Sequence, residues 1–170
     1  MAAATLARTA QAGKYLAFTL ARELYAVEIL RVQEITTAAG LGPVPGQPGC
    51  AAGVIGLRGR TIPVVSLRRR LGLSGPTPPE RACIVVVDVA TAAGTLAVGL
   101  LVDAVTEVCH FEASAIDGPP GQGGGIEDGD WIAGIGHAGE ANVCLIEVDR
   151  LLTRREREQI ALIAGSAKAN

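Results

Sequence analysis

Three stretches break this chain into short pieces. TAAGLGPVPGQPGC (37–50), SGPTPPER (74–81) and DGPPGQGGGIEDGD (117–130) are built around proline and glycine. Proline removes a backbone donor and fixes its own φ, so no regular hydrogen-bond ladder runs through them. The core must therefore be made from short elements lying between the breaks. Those elements are rich in Ala, Val, Leu and Ile, and the aromatics are limited to Tyr15, Phe18, Tyr25, Phe111 and Trp131. Small and β-branched side chains together with 22 glycines favour short strands and tight turns.

Read along the chain, KYLAFTLARELYAVE (14–28) predicts a hairpin turning near Arg22–Glu23. ILRVQEIT follows and is too short to assign by periodicity. GVIGL and TIPVVSL flank Arg58-Gly59-Arg60-Thr61 and predict a second hairpin, with Gly59 supplying a positive φ at its tip. Pro63 places the second of these strands at an edge or a bulge. LRRRLG predicts one helical turn ended by Gly72.

After 74–81 the scheme repeats. ACIVVVDV is a strand, and TLAVGLLVDAV is a strand continuing into TEVCHFE. WIAGIG and NVCLIEV form a last hairpin around His137–Glu140. Each half reads as hairpin, long loop, hairpin, which predicts two related small β-barrels, residues 13–78 and 79–148. The tail EVDRLLTRREREQIALIAG predicts a C-terminal helix over 149–165, with Thr153 and Glu156 at capping-box spacing and Gly165 as its stop. Val148, Leu151, Leu152, Leu162 and Ile163 would form its packed face. Residues 1–12 and 166–170 are expected to be flexible.

Fifteen basic and seventeen acidic residues exclude a general attraction to nucleic acid or anionic lipid. No apolar stretch suits a signal peptide or a spanning helix, so a soluble cytoplasmic protein without direct membrane insertion is expected. Catalytic chemistry is thinly supplied. There is no GxSxG around any serine, GQGGG (121–125) lacks the Lys-Ser/Thr of a phosphate loop, and IEDGDW lacks a calcium-loop pattern. The four cysteines have no CxxC spacing, which favours buried free thiols and leaves a metal or thiol enzyme built from Cys109, His110, His137 and Cys144 as a rival class. The charged residues set against apolar strands are Glu28, Glu34, Arg58, Arg60, Asp103 and Glu107. At the hairpin tip, Arg58 reads either as a surface arginine on a turn or as a fixed guanidinium ready to pair with a carboxylate.

Four blocks, YLAFTLARELYAVEILRVQEI, VPGQPGCAAGVIGLRGRTIPVVSLRRRLG, VGLLVDAVTEV and WIAGIGHAGEANVCLIEVDRLL, resemble in order those of CheW-like chemotaxis adaptor domains. The likeness spans about residues 14–153 and is most specific at Leu57–Leu67, the LRG-x-x-x-P-V-x-x-L block, followed by VDAV at 102–105. It implies a mainly β fold of two five-stranded SH3-like barrels related by a pseudo-twofold, with a helix packed alongside. It also implies a non-catalytic adaptor without cofactor or metal. Such an adaptor couples the cytoplasmic tip of methyl-accepting chemoreceptors to the regulatory domain of the histidine kinase CheA, within a receptor array. A scaffold for another chemosensory-type pathway, in motility or second-messenger control, fits the same blocks. By this resemblance Arg58 and Gly59 lie at the receptor groove, Glu34 is placed to pair with Arg58, and Val102, Val105 and Val108 fall near the receptor-facing wall. The chain departs from the family pattern at Gly56, where Asn is usual, and at Ser66, where Asp is usual.

Overall fold

The structure, a computed structural model, describes residues 10–42, 49–91, 94–118 and 131–168. The expected hairpins are present. β1 (Gly13–Leu20) pairs with β2 (Glu23–Glu28), β4 (Ala51–Leu57) with β5 (Arg60–Ser66), and β10 (Ile132–Ala138) with β11 (Ala141–Ile146). The segment that periodicity left open makes a 3-10 turn over Ile29–Arg31 and then β3 (Val32–Thr37). β6 (Cys83–Thr91), β7 (Gly94–Val102), β8 (Ala104–Phe111) and the two-residue β9 (Ile116–Asp117) complete the strands. α1 (Leu67–Arg70) is the expected single turn, and Gly72 follows it at φ 76°.

The strands form two sheets, ordered β8-β1-β2-β11-β10-β9 and β3-β6-β7-β5-β4. This corrects the division of the chain into barrels over 13–78 and 79–148. The first sheet takes its strands from both ends of the chain and the second from its middle. Two parallel pairings cause the exchange, β2 with β11 and β5 with β7, and each needs a long crossover that no local pattern reveals. The first sheet curls round on itself, because a Cβ at Gly136 of β10 would lie 2.8 Å from the ring of Phe111 at the end of β8. In the second sheet an ion pair from β3 to the β4–β5 turn joins the two edges.

The long strand expected across 95–112 is also two strands, broken at Asp103 and divided between the sheets. The Asp103 amide donates to the Thr19 carbonyl, so the chain changes sheets at that residue. Pro63 lies in an interior strand, with the bulge at Ala51/Gly53 on β4 instead. Its missing donor is tolerated because the ladder from β5 to β7 starts only at Val64.

Continuous apolar runs follow from this packing, since the strands between the sheets are buried on both faces. Along β6, Ile84 and Val86 face a cluster inside the second sheet with Ile55, Ile62 and Val64, while Val85, Val87 and Val89 face the core between the sheets. β1 alternates likewise. Tyr15 and Ala17 sit inside the first sheet with Phe111, Val143 and Leu145, and Leu16 and Phe18 point into the shared core.

A 3-10 turn over Val148–Arg150 leads to α2 (Arg154–Lys168). The capping box is present: the Glu156 amide donates to Thr153 Oγ1, and the Thr153 amide donates to the Glu156 carboxylate. Starting at Thr153 resets the helical phase. Ile160 and Ile163 therefore reach the shared core, and Leu162, expected on the packed face, is 69% exposed. Burying those two isoleucines stabilises the docked helix by roughly 1.5–3 kcal/mol each. α2 runs past Gly165, because an interior glycine costs about 1 kcal/mol without by itself ending a helix. At the N-terminus, Ala10 donates to the Ala133 carbonyl and Gln11 accepts from the Tyr15 hydroxyl, which ties down part of the segment expected to be flexible. Residues 1–9 and 169–170 lie outside the described residues.

Candidate functional site

The β4–β5 turn consists of two residues, Arg58 and Gly59, with Leu57 opposite Arg60. Both take positive φ, 54° and 77°, as a two-residue hairpin loop of type I′ requires. Asn or Gly is the usual first residue of such a loop. An arginine held there costs roughly 1–2 kcal/mol of backbone strain. Arg58 Nε donates to Glu34 Oε1 on β3 at 2.9 Å, so the expected pairing of the two residues is present. With Arg58 77% exposed, that ion pair contributes no more than about 0–1 kcal/mol. The ion pair offsets at most part of that strain. The turn would be at least as stable with asparagine, so stability does not explain the arginine.

Gly56 lies two residues before this turn, and a side chain there would meet open space. The surface beside Arg58 is therefore bare backbone where an asparagine would stand. Ser66 caps α1, its hydroxyl accepting from the Arg69 amide, a task an aspartate performs equally well. Its neighbour Arg68 finds a carboxylate elsewhere.

That carboxylate is Asp103. Arg68 Nε and Nη2 donate to its two oxygens at 2.9 and 2.7 Å, and each side chain is only 11% exposed. Asp103 Oδ2 also accepts from the Ala21 amide, in the β1–β2 loop where Ala21 and Arg22 both have positive φ. Burial alone would raise the Asp103 carboxyl, but the hydrogen bonds from Arg68 and Ala21 and the charge of Arg68 outweigh it and hold the group below the usual carboxylate range. Arg68 further donates to the Ser74 carbonyl. Asp103 thus ties the β7–β8 junction to α1 and to the first hairpin. Its position in the apolar run VGLLVDAV was the available signal, since a buried carboxylate needs a cation; that the cation stands 35 residues earlier was not legible.

The valines expected on the receptor wall separate. Val102 is fully buried in the shared core and offers no surface in this arrangement, Val105 packs against that core, and Val108 is 51% exposed on β8, an edge strand of the first sheet. Glu34 and Arg58 belong to the second sheet. Among the described residues the side-chain hydrogen bond and ion pair of Glu34 and Arg58 join them to each other.

Among the described residues no group of three or more histidine, cysteine and carboxylate side chains is placed to hold a metal ion. Cys109 on β8 and Cys144 on β11 are separated by β1 and β2, on the order of 14 Å across the sheet. Burial pushes the Cys144 thiol up to about 11, and burial with the Glu156 charge does the same to Cys50, so both are protonated at neutral pH. His137 is held between Asp117 Oδ2 and Asn142 Oδ1, in an exposed cross-strand cluster. The GQGGG and IEDGD segments lie outside the described residues.

Comparison with known proteins supplies a context for this geometry. A family model described as CheW-like domain matches residues 14–156. The chain is 32% identical over 143 residues to the chemotaxis protein CheW of Rhizobium meliloti, covering 84% of this chain and 89% of that protein. It is 29% identical over 157 residues to the chemotaxis protein CheW of Klebsiella aerogenes, covering 92% and 90%. The crystal structure of the scaffolding protein TtCheW from Thermoanaerobacter tengcongensis superimposes with a TM-score of 0.74 at 29% identity, covering 86% of this chain and 97% of that one.

Proposed function

The chain belongs to the CheW-like domain family, and from that membership we propose that it is a non-catalytic chemotaxis adaptor that couples chemoreceptors to the histidine kinase CheA. Its partners on this reading are the CheA regulatory domain and the cytoplasmic tip of the receptors, and it reaches the membrane array only through them. Among the described residues no helix is long and apolar enough to cross a membrane.

The observation that carries the site assignment is Arg58. It is exposed on a strained turn and steered by Glu34 across the seam of the second sheet, a placement that stability does not favour and that a binding role accounts for. Glu34, Arg58 and Gly59 form the centre of the receptor contact. Val108 and the partly buried Val105 belong to it only if the receptor helix spans both sheets.

Arg58→Ala separates binding from folding. The expected result is an unfolding free energy within about 1 kcal/mol of the unsubstituted chain, because the ion pair is exposed, together with loss of receptor-controlled kinase activity in a reconstituted array. Normal receptor control by the variant would remove Arg58 from the groove.

A further inference from the structure

Five arginines converge on one depression where the chain enters α2. Arg70, Arg150, Arg154, Arg155 and Arg157 line a cavity of about 430 Å³, together with Asp149, Leu152 and Thr153. We propose that this depression is a binding site for a polyphosphate anion, a ligand with two or more phosphoryl groups in succession. The proposal stands apart from the adaptor reading and uses none of its residues.

The lining divides into supports and ligands. Arg70 is nearly buried, donating to the Leu151 carbonyl and pairing with Glu156, and Arg157 donates to the carbonyls of Ala90 and Asp149. These two hold the walls. The one carboxylate in the lining, Asp149, is already engaged by Arg31 and by the Ala90 amide, so its charge is largely answered before a ligand arrives. Arg154 is 88% exposed, and among the described residues it pairs with the exposed Glu158 at 3.4 Å, a partner it can leave at little cost. Arg155 is exposed beside it.

The chain as a whole carries a formal charge of −2, so five arginines around one depression are a local concentration of positive charge. A guanidinium presents a planar fork of donors that fits phosphoryl oxygens in pairs. Several forks around one cavity favour a ligand with dense charge. Consecutive phosphoryl groups meet two or three arginines at once, whereas carboxylates spaced along a peptide meet them singly. The volume lies within the range of small-molecule sites.

The test is titration calorimetry of the full chain at low ionic strength with sodium tripolyphosphate, ATP, orthophosphate and a hexaglutamate peptide. Tripolyphosphate is expected to bind one to one and to weaken as salt rises. Arg154→Ala with Arg155→Ala should reduce that affinity at least tenfold at unchanged melting temperature, and Arg22→Ala with Arg81→Ala, outside the depression, should leave it unaltered. ATP binding at least as tightly as tripolyphosphate assigns the site to a nucleotide, and weaker ATP binding assigns it to inorganic polyphosphate. Equal losses in the two double variants, or binding of orthophosphate or hexaglutamate as tight as that of tripolyphosphate, would overturn the proposal.

Discussion

Phe18→Ala is expected to lower the unfolding free energy by about 3–5 kcal/mol, one of the two largest single-residue effects in the fold. Phe18 is fully buried on β1 and stacks on Tyr25, ring centroids 6.3 Å apart and planes within 14°. Tyr25 in turn packs against Trp131 at 6.4 Å. Phe18 belongs to the core shared by both sheets and α2, so its removal opens a cavity that none of the three can close alone. For a chain of this size the change corresponds to a fall in melting temperature of roughly 6–20 °C, with both sheets melting in one transition. A variant that lost the first sheet while retaining the second would show that the shared core does not couple them.

Asp103→Ala comes next, with an expected loss of about 3–5 kcal/mol. The substitution leaves the Arg68 guanidinium nearly buried without its bidentate partner and removes the acceptor of the Ala21 amide. The strained loop at Ala21–Arg22 then loses a clamp as well. The pH dependence follows from the lowered carboxyl. Its folded value lies below the unfolded value near 3.9, so its contribution is complete above that range and is lost as pH falls through the depressed value. Urea unfolding at pH 7 and at pH 3 checks both points. The unsubstituted chain should lose more stability between these pH values than Asp103→Ala does. Equal losses would remove Asp103 from the acid limb.

Much of this was legible in the residues. Hairpin loops announce themselves through local chemistry, as in Arg58-Gly59, and the Thr153–Glu156 box marks the start of α2 because both halves of the cap lie within one turn. The pairing of Glu34 with Arg58 followed from family blocks, not from spacing. What stayed hidden depends on contacts distant in the chain. The exchange of strands between sheets rests on two parallel pairings whose partners are far apart in sequence. Val102 sits in a block matched to the receptor wall, yet it is the last residue of a strand buried on both faces. Leu162 leaves the packed face because the helical phase restarts at the bend at Thr153, which a single periodicity through 148–163 does not show. The arginines around the depression include Arg70, which only the fold brings beside 150–157.

The most direct test of the adaptor account is calorimetric titration of the purified chain with the regulatory domain of a CheA kinase from the same genome. Saturable one-to-one binding, retained by Arg58→Ala because that residue serves the receptor contact, is the predicted result. Absence of binding to every CheA regulatory domain encoded there would contradict the account and leave a CheW-like fold serving a different partner.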